Sequence, residues 1–286
     1  MERDFLFFII FSYSQSIKEE NAMEIQQIRN ATNKIKFGGV TFLLDPWLAD
    51  KGSMGSFDDI SQENYQVPDP VKMVLPMPFY GLPLSREKIR EGVDAYIVTH
   101  IHPDHIDVAA DGTVGKFLDK TVPVFVQNET DAAVFRKSGF QRVQVLSAEG
   151  TVWKNVTLTK VPAKHGTMVS CGNAMGVVFQ AQGEKTLYVS GDTVWYPGVK
   201  QTLEAYSPEV VTVNACAAEL VGFGRLIMND EDVECVARTV PRATIFITHM
   251  DNVAHASLTR YDMKGRLAGR GVTNYVMPQD GETVLF

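Results

Sequence analysis

Three of the chain's six histidines lie in one short window, His100-Ile-His-Pro-Asp-His105. Neutral imidazole nitrogens and carboxylate oxygens together suit zinc, iron or manganese. At this spacing the side chains diverge, so the pattern predicts two adjacent cations rather than one. His100 and His102 would face one cation, Asp104 and His105 the other. The window follows an apolar run at Ala95–Val98, whose strand end presents the side chains from a rigid support.

Each cation needs further donors, and the rest of the chain offers them where strands are expected to end. His165 stands in Lys-His-Gly after Val156–Val161, Asp192 in Ser-Gly-Asp-Thr after Thr186–Val189, and His249 in Thr-His-Met after Thr244–Ile247. A carboxylate has two oxygens, so Asp192 is the natural shared ligand, with His165 completing one cation and His249 the other. His255, the sixth histidine, is a substitute ligand, a substrate-contacting acid or a supporting group. Asp104 and His255 are the candidates for returning a proton to a leaving group.

Each of these residues taken alone has a plainer explanation. An isolated histidine is more often a hydrogen-bonded structural residue than a ligand, and Gly-Asp is ordinary turn chemistry. The cluster shifts the balance toward metal binding. Asp45 in Leu-Leu-Asp-Pro is either a turn residue or a carboxylate that orients a ligating histidine.

The elements around these residues read as alternating strands and helices. Met23–Arg29, Lys34–Phe37 and Val40–Leu44 form an opening β-meander broken by Asn-Ala-Thr-Asn and Gly38-Gly39. From Asp45 to Leu84 six prolines forbid long elements, while Trp47, Phe57, Tyr65, Phe79 and Tyr80 stand among them. Such a loop is expected to cover the core or contact substrate. Ser85–Glu91 reads as a short helix, Val122–Val126 as a strand, Asn128–Lys137 as a helix closed by Gly139, and Val143–Leu146 as a strand. Strands follow at Val156–Val161, Met175–Gln180, Thr186–Val189, Val210–Val213 and Thr244–Ile247. Helices are expected from Asn229 or Asp230 to before Pro241, and after Ser257. Sheet-rich halves with helices outside predict an α/β, αββα sandwich of two mixed sheets.

The whole chain has 286 residues, 45% of them apolar, and a net charge of -7. Lysines and arginines are scattered, so neither nucleic acid nor an anionic membrane is expected as a partner. A small-molecule substrate is expected, and a homo-oligomer is compatible with the composition. The three cysteines, Cys171, Cys216 and Cys235, do not read as a disulfide framework, which fits a reducing, cytoplasmic setting. Residues 1–22 read as a non-core N-terminal extension. Their apolar run Phe5–Phe11 is too short to span a bilayer, which takes about 20 residues, so no stable membrane anchor is expected. The folded domain is expected over 23–286.

The string His100-x-His-x-Asp-His105, with His165, Ser190-Gly-Asp-Thr193 and His249, resembles the metallo-β-lactamase superfamily from about Met23 to Phe286. Leu44-Asp-Pro-Trp, Leu75-Pro-Met-Pro and Thr248-His-Met-Asp resemble its ascorbate-6-phosphate lactonase-like branch. The resemblance implies an αββα fold, a two-metal site with the ligands above, and zinc or manganese ahead of magnesium. Such a pair lowers the pKa of a bound water to about 7 and needs no side-chain nucleophile. The expected activity is a metal-dependent hydrolase using this hydroxide on a small ester, lactone or amide. Competing readings are a phosphodiesterase on a small substrate, an iron-dependent redox enzyme handling oxygen or sulfur, and a non-catalytic metal-binding protein. Lys164 and Arg225 are candidates for charge recognition, and specificity is expected from Asp45–Leu84 and Ala217–Met228.

Overall fold

Side chains on a strand alternate between its two faces, and that alternation sorts this chain into layers. The structure, a computed structural model, describes residues 23–59 and 66–286; the expected extension 1–22 and Tyr65 lie outside the described residues. The meander forms as β1 (Glu24–Arg29), β2 (Thr32–Phe37) and β3 (Val40–Leu44), then β4 (Ala95–Ile97), β5 (Val124–Val126) and β6 (Val143–Val145). The second half supplies β7 (Thr151–Trp153), β8 (Val156–Pro162), β9 (Met175–Gln180), β10 (Leu187–Val189), β11 (Val210–Asn214), the hairpin β12 (Glu219–Leu220) and β13 (Gly224–Arg225), and β14 (Thr244–Thr248). Edge strands β15 (Tyr275–Val276) and β16 (Thr283–Leu285) close the chain.

Two seven-stranded sheets result, in the orders β16-β1-β2-β3-β4-β5-β6 and β15-β14-β11-β10-β9-β8-β7. Both are mixed: β3 to β6 run parallel in one, and β10, β11, β14 and β15 in the other. Phe42, Leu44, Ile97 and Phe125 of the first sheet pack against Val177, Phe179, Leu187, Val189 and Phe246 of the second. Phe179 meets Phe37 and Phe42 edge-on, with ring centroids 5.7 and 5.4 Å apart. Burying such a ring contributes about 1.5–3 kcal/mol.

The intervening residues face outward and take the helices. Leu43, Tyr96, Val98, Val124 and Val126 pack against Ala132 and Phe135 of the helix Glu129–Lys137. Val178, Tyr188, Val211, Val213, Ile245 and Ile247 pack under the helices Pro197–Tyr206, Asp230–Thr239 and Arg260–Gly269. The αββα arrangement expected from the sequence is therefore the fold. Asn128, Asn229 and Thr259 cap their helices by accepting backbone N–H groups, as the sequence signals suggested.

The differences are local. The strand expected from Val122 begins at Val124, because Val122 N–H closes a turn on the Asp119 carbonyl. The helix Pro197–Tyr206, the edge strands β7, β15 and β16 and the short hairpin β12–β13 were not expected, being weakly marked or too short to show periodicity. Among the described residues the proline-rich segment holds only the four-residue helix Pro70–Met73. Among them, too, no helix is long and apolar enough to cross a membrane.

Candidate metal centre

In mixed α/β sheets ligands gather at the carboxyl ends of the parallel strands, and there the candidate residues meet. Asp45 follows β3 in a left-handed turn (φ 43°) that aims its carboxylate at the start of the histidine window. Oδ1 accepts Thr99 N–H at 2.7 Å and Oδ2 accepts Thr99 Oγ1–H at 2.8 Å. The same Oδ2 lies 2.9 Å from His105 Nδ1, which turns His105 Nε2 toward the centre. His165 Nδ1 stands 3.1 Å from the Leu226 carbonyl oxygen and His100 Nδ1 3.1 Å from Thr99 Oγ1. Outer partners of this kind set the tautomer, leaving the inner nitrogen's lone pair free for a cation. His249 differs, since its Nδ1 faces the buried Cys216 thiol at 3.6 Å.

The inner atoms form three overlapping groups, in which His100, His105 and Asp192 link two triads that share no residue. His100, His102 and His165 make one, with His100 Nε2 2.9 Å and His165 Nε2 3.4 Å from His102 Nδ1. Asp104, His105 and His249 make the other, with His249 Nε2 3.2 Å from both His105 Nε2 and Asp104 Oδ2. Asp192 spans them: Oδ2 lies 3.3 Å from His105, 3.6 Å from His165 and 3.8 Å from His100, and Oδ1 lies 3.8 Å from His249. Lone pairs crowded this closely fit divalent cations between them. The seven residues predicted as ligands are thus brought to one place. His255 joins them from one side, its Nε2 3.6 Å from Asp104 Oδ2 and its Nδ1 buried without a hydrogen-bond partner among the described residues.

The two triads differ in charge. Burial pushes His100 well down and His102 and His255 down to about 4, so these rings are neutral at about pH 7. Burial opposes protonation of His105 as well, but Asp192, Asp45 and Asp104 surround it and push it up to about 10. His249 is likewise raised despite burial, chiefly by Asp192. Asp104 and Asp192 stay well below the usual carboxylate range, against their burial, because His105 and its neighbours favour the anion. The carboxylate-rich triad therefore requires positive charge.

A pocket of about 280 Å³ opens over the donors. Met54, Phe57, Pro103, Cys171, Leu220 and Leu226 wall it, and His102, Asp104, His165, Asp192 and His255 form its polar floor. Phe57 comes from the proline-rich segment and Leu220 and Leu226 from Ala217–Met228, so both segments expected to set specificity reach the pocket. Trp47 instead lies in the core under the Arg29 guanidinium, 4.5 Å from its ring centroid. Neither candidate for charge recognition lines the pocket. Arg225 is paired with Asp232 and donates to the Ile227 carbonyl, and Lys164 is exposed outside the pocket.

Asn30, Thr99, Asn214 and Cys216 were not singled out from the sequence. Asn214 ends β11 and donates to Asp192 Oδ1 at 2.6 Å, a position that strand-end placement alone could have flagged.

The model of the Beta-lactamase superfamily domain matches residues 42–250, which carry all seven candidate ligands. The chain belongs to this superfamily. Within it, the chain is 38% identical to the UPF0173 protein YddR of Bacillus subtilis (strain 168) over 269 residues, 92% of this chain and 100% of that protein. It is accordingly a member of the UPF0173 family. The solved isothiocyanate hydrolase from Delia radicum gut bacteria is similar at 32% identity and a TM-score of 0.81, over 92% of this chain and 99% of that one. A possible metal-dependent hydrolase from Veillonella parvula DSM 2008 is similar at 33% identity and a TM-score of 0.82, over 93% and 100%. This UPF0173 member is a metal-dependent hydrolase with the metallo-β-lactamase fold.

Proposed function

We propose that this hydrolase uses two divalent ions, zinc or manganese, to hydrolyse small uncharged substrates at an electrophilic carbon: esters, lactones, amides or isothiocyanates. The observation that carries this reading is the pocket, whose lining is apolar above the donors and, among the described residues, includes no lysine or arginine. A phosphodiester, or the phosphorylated lactone implied by the lactonase-like resemblance, would enter that pocket without a cationic side chain to meet its charge. The similarity to an isothiocyanate hydrolase supports the same class of electrophile.

The His100/His102/His165 triad would hold one ion, the Asp104/His105/His249 triad the other, and Asp192 would touch both. Ions held by these residues would supply an activated water and polarisation of the electrophile. Phe57, Leu220 and Leu226 exclude bulk water and grip the apolar part of the substrate. His255 lines the pocket beside Asp104 as a neutral ring, so it would relay to the leaving group a proton taken from the attacking water rather than carry one of its own. With an isothiocyanate, the water oxygen bonds to the central carbon and the nitrogen takes a proton. The remaining O–H proton of the resulting thiocarbamate then passes to nitrogen as the carbon–nitrogen bond breaks, releasing a primary amine and carbonyl sulfide.

Turnover of a zinc- or manganese-loaded sample on a neutral aryl ester, a γ-lactone and an alkyl isothiocyanate, against a bis-aryl phosphate, tests the reading. At least one neutral substrate is expected to exceed the phosphodiester by about 100-fold in kcat/KM, the scale on which an apolar pocket wall discriminates between substrates. A phosphodiester preference would overturn the proposal. His255→Ala is expected to keep both ions and its KM while kcat falls about 10²–10⁴-fold. Unchanged kcat would remove His255 from the proton path.

A further inference from the structure

Asn30 sits at the turn between β1 and β2, fully buried and with φ 49°. Its carbonyl oxygen is taken by Gln27 Nε2–H at 2.9 Å, Thr248 Oγ1–H at 2.7 Å and His249 N–H at 3.0 Å. These bonds bolt the turn to the end of β14, directly beside a candidate ligand. The side-chain amide then reaches into the Asp104/His105/His249 triad. Its Nδ2 lies 3.1 Å from the Asp104 carbonyl oxygen, 3.3 Å from Asp104 Oδ2 and 3.2 Å from His249 Nε2.

The first two of these atoms can only accept hydrogen bonds, so the amide edge facing them is the NH₂ group, and the His249 Nε2 lone pair is left for a cation. Among the described residues Asn30 Oδ1, like Asn33 Oδ1 nearby, is buried with no hydrogen-bond partner, so the amide is oriented by its donors. The pocket lining excludes Asn30, so it does not touch substrate.

We infer that Asn30 is a positioning residue for the second metal ion. One N–H holds the backbone of Asp104 and the other holds its carboxylate, so that Asp104 offers its remaining lone pairs to the ion at a set angle beside His249. The arrangement parallels Asn214, which donates to Asp192. This inference rests on the two-metal reading above.

Chelator-stripped protein titrated with Zn²⁺, and with Co²⁺ followed by its visible spectrum, tests it. Asn30→Gly keeps the left-handed turn, which glycine adopts freely, and removes only the amide. One of the two sites is expected to weaken about 10–100-fold, the usual cost of losing an outer partner of a metal ligand, with the other site unchanged. The cobalt bands of the weakened site should shift. Asn30→Asp, of the same shape, exchanges the donors for acceptors and covers the case in which the glycine variant does not fold. Weaker binding at one site in that variant supports the inference, whereas equal or tighter binding overturns it. Two ions in the wild type with wild-type affinities in Asn30→Gly, or equal loss at both sites, overturn the inference alone. Fewer than two ions in the wild type overturn the two-metal reading and the inference with it.

Discussion

Asp192→Ala is expected to lose bound metal and turnover together. The carboxylate lies 3.3 Å from His105 and 3.6 Å from His165, in different triads, so its removal deprives both of a donor at once. It also strands the buried Asn214 amide and withdraws the largest favourable charge acting on protonated His105 and His249. The loss in kcat should reach at least the roughly 10²–10³-fold that follows removal of one electrostatic donor at a transition state. Metal analysis of the purified variant beside kcat on a neutral ester checks both halves. A variant that keeps two ions and normal turnover would remove the bridging assignment.

The two triads are expected to load with different pH dependence. His100 and His102 are already neutral at about pH 7, so an ion entering their triad displaces no proton from either. In the metal-free protein His105 holds a proton up to about pH 10 and His249 is raised in the same direction. An ion entering their triad must expel at least one proton, so its apparent affinity rises about tenfold per pH unit between neutrality and pH 10. Stability follows the matching sign. A histidine raised by folding contributes stability below its unfolded value of 6.5 that is lost as pH rises through about 10. Metal-free protein should therefore lose thermal stability across that window. His100, His102 and His255 are neutral there in both states and add nothing. Calorimetric titrations in buffers of different ionisation enthalpy would show the proton release, and two steps with the same pH dependence would contradict the assignment.

Much of the fold was legible because its signals are local. Alternation in Val177–Val178–Phe179 and Leu187–Tyr188–Val189 marks residues facing the sheet interface and residues facing helices. Caps such as Asn128 and Asn229 mark helix starts. The six-residue window from His100 to His105 was readable for the same reason, since its donors share one loop at one strand end. The pairing of Arg225, a candidate for charge recognition, was not legible because its partner Asp232 lies on the following helix, and only packing brings the two together.

The sequence by itself determined the inventory: which residues can donate to a cation, which strand ends present them, and the αββα class that alternation demands. The tertiary structure alone decided the partnerships. Parallel pairing of β3 with β4 sets Asp45 against His105, 60 positions apart in sequence, and pairing of β11 with both β10 and β14 sets Asn214 and Cys216 beside Asp192 and His249. Charge at a buried group depends on what lies within a few ångströms in space. So the unequal protonation of the two triads, the pocket without a cation, and the amide of Asn30 within the second triad emerge only when the sheets have closed.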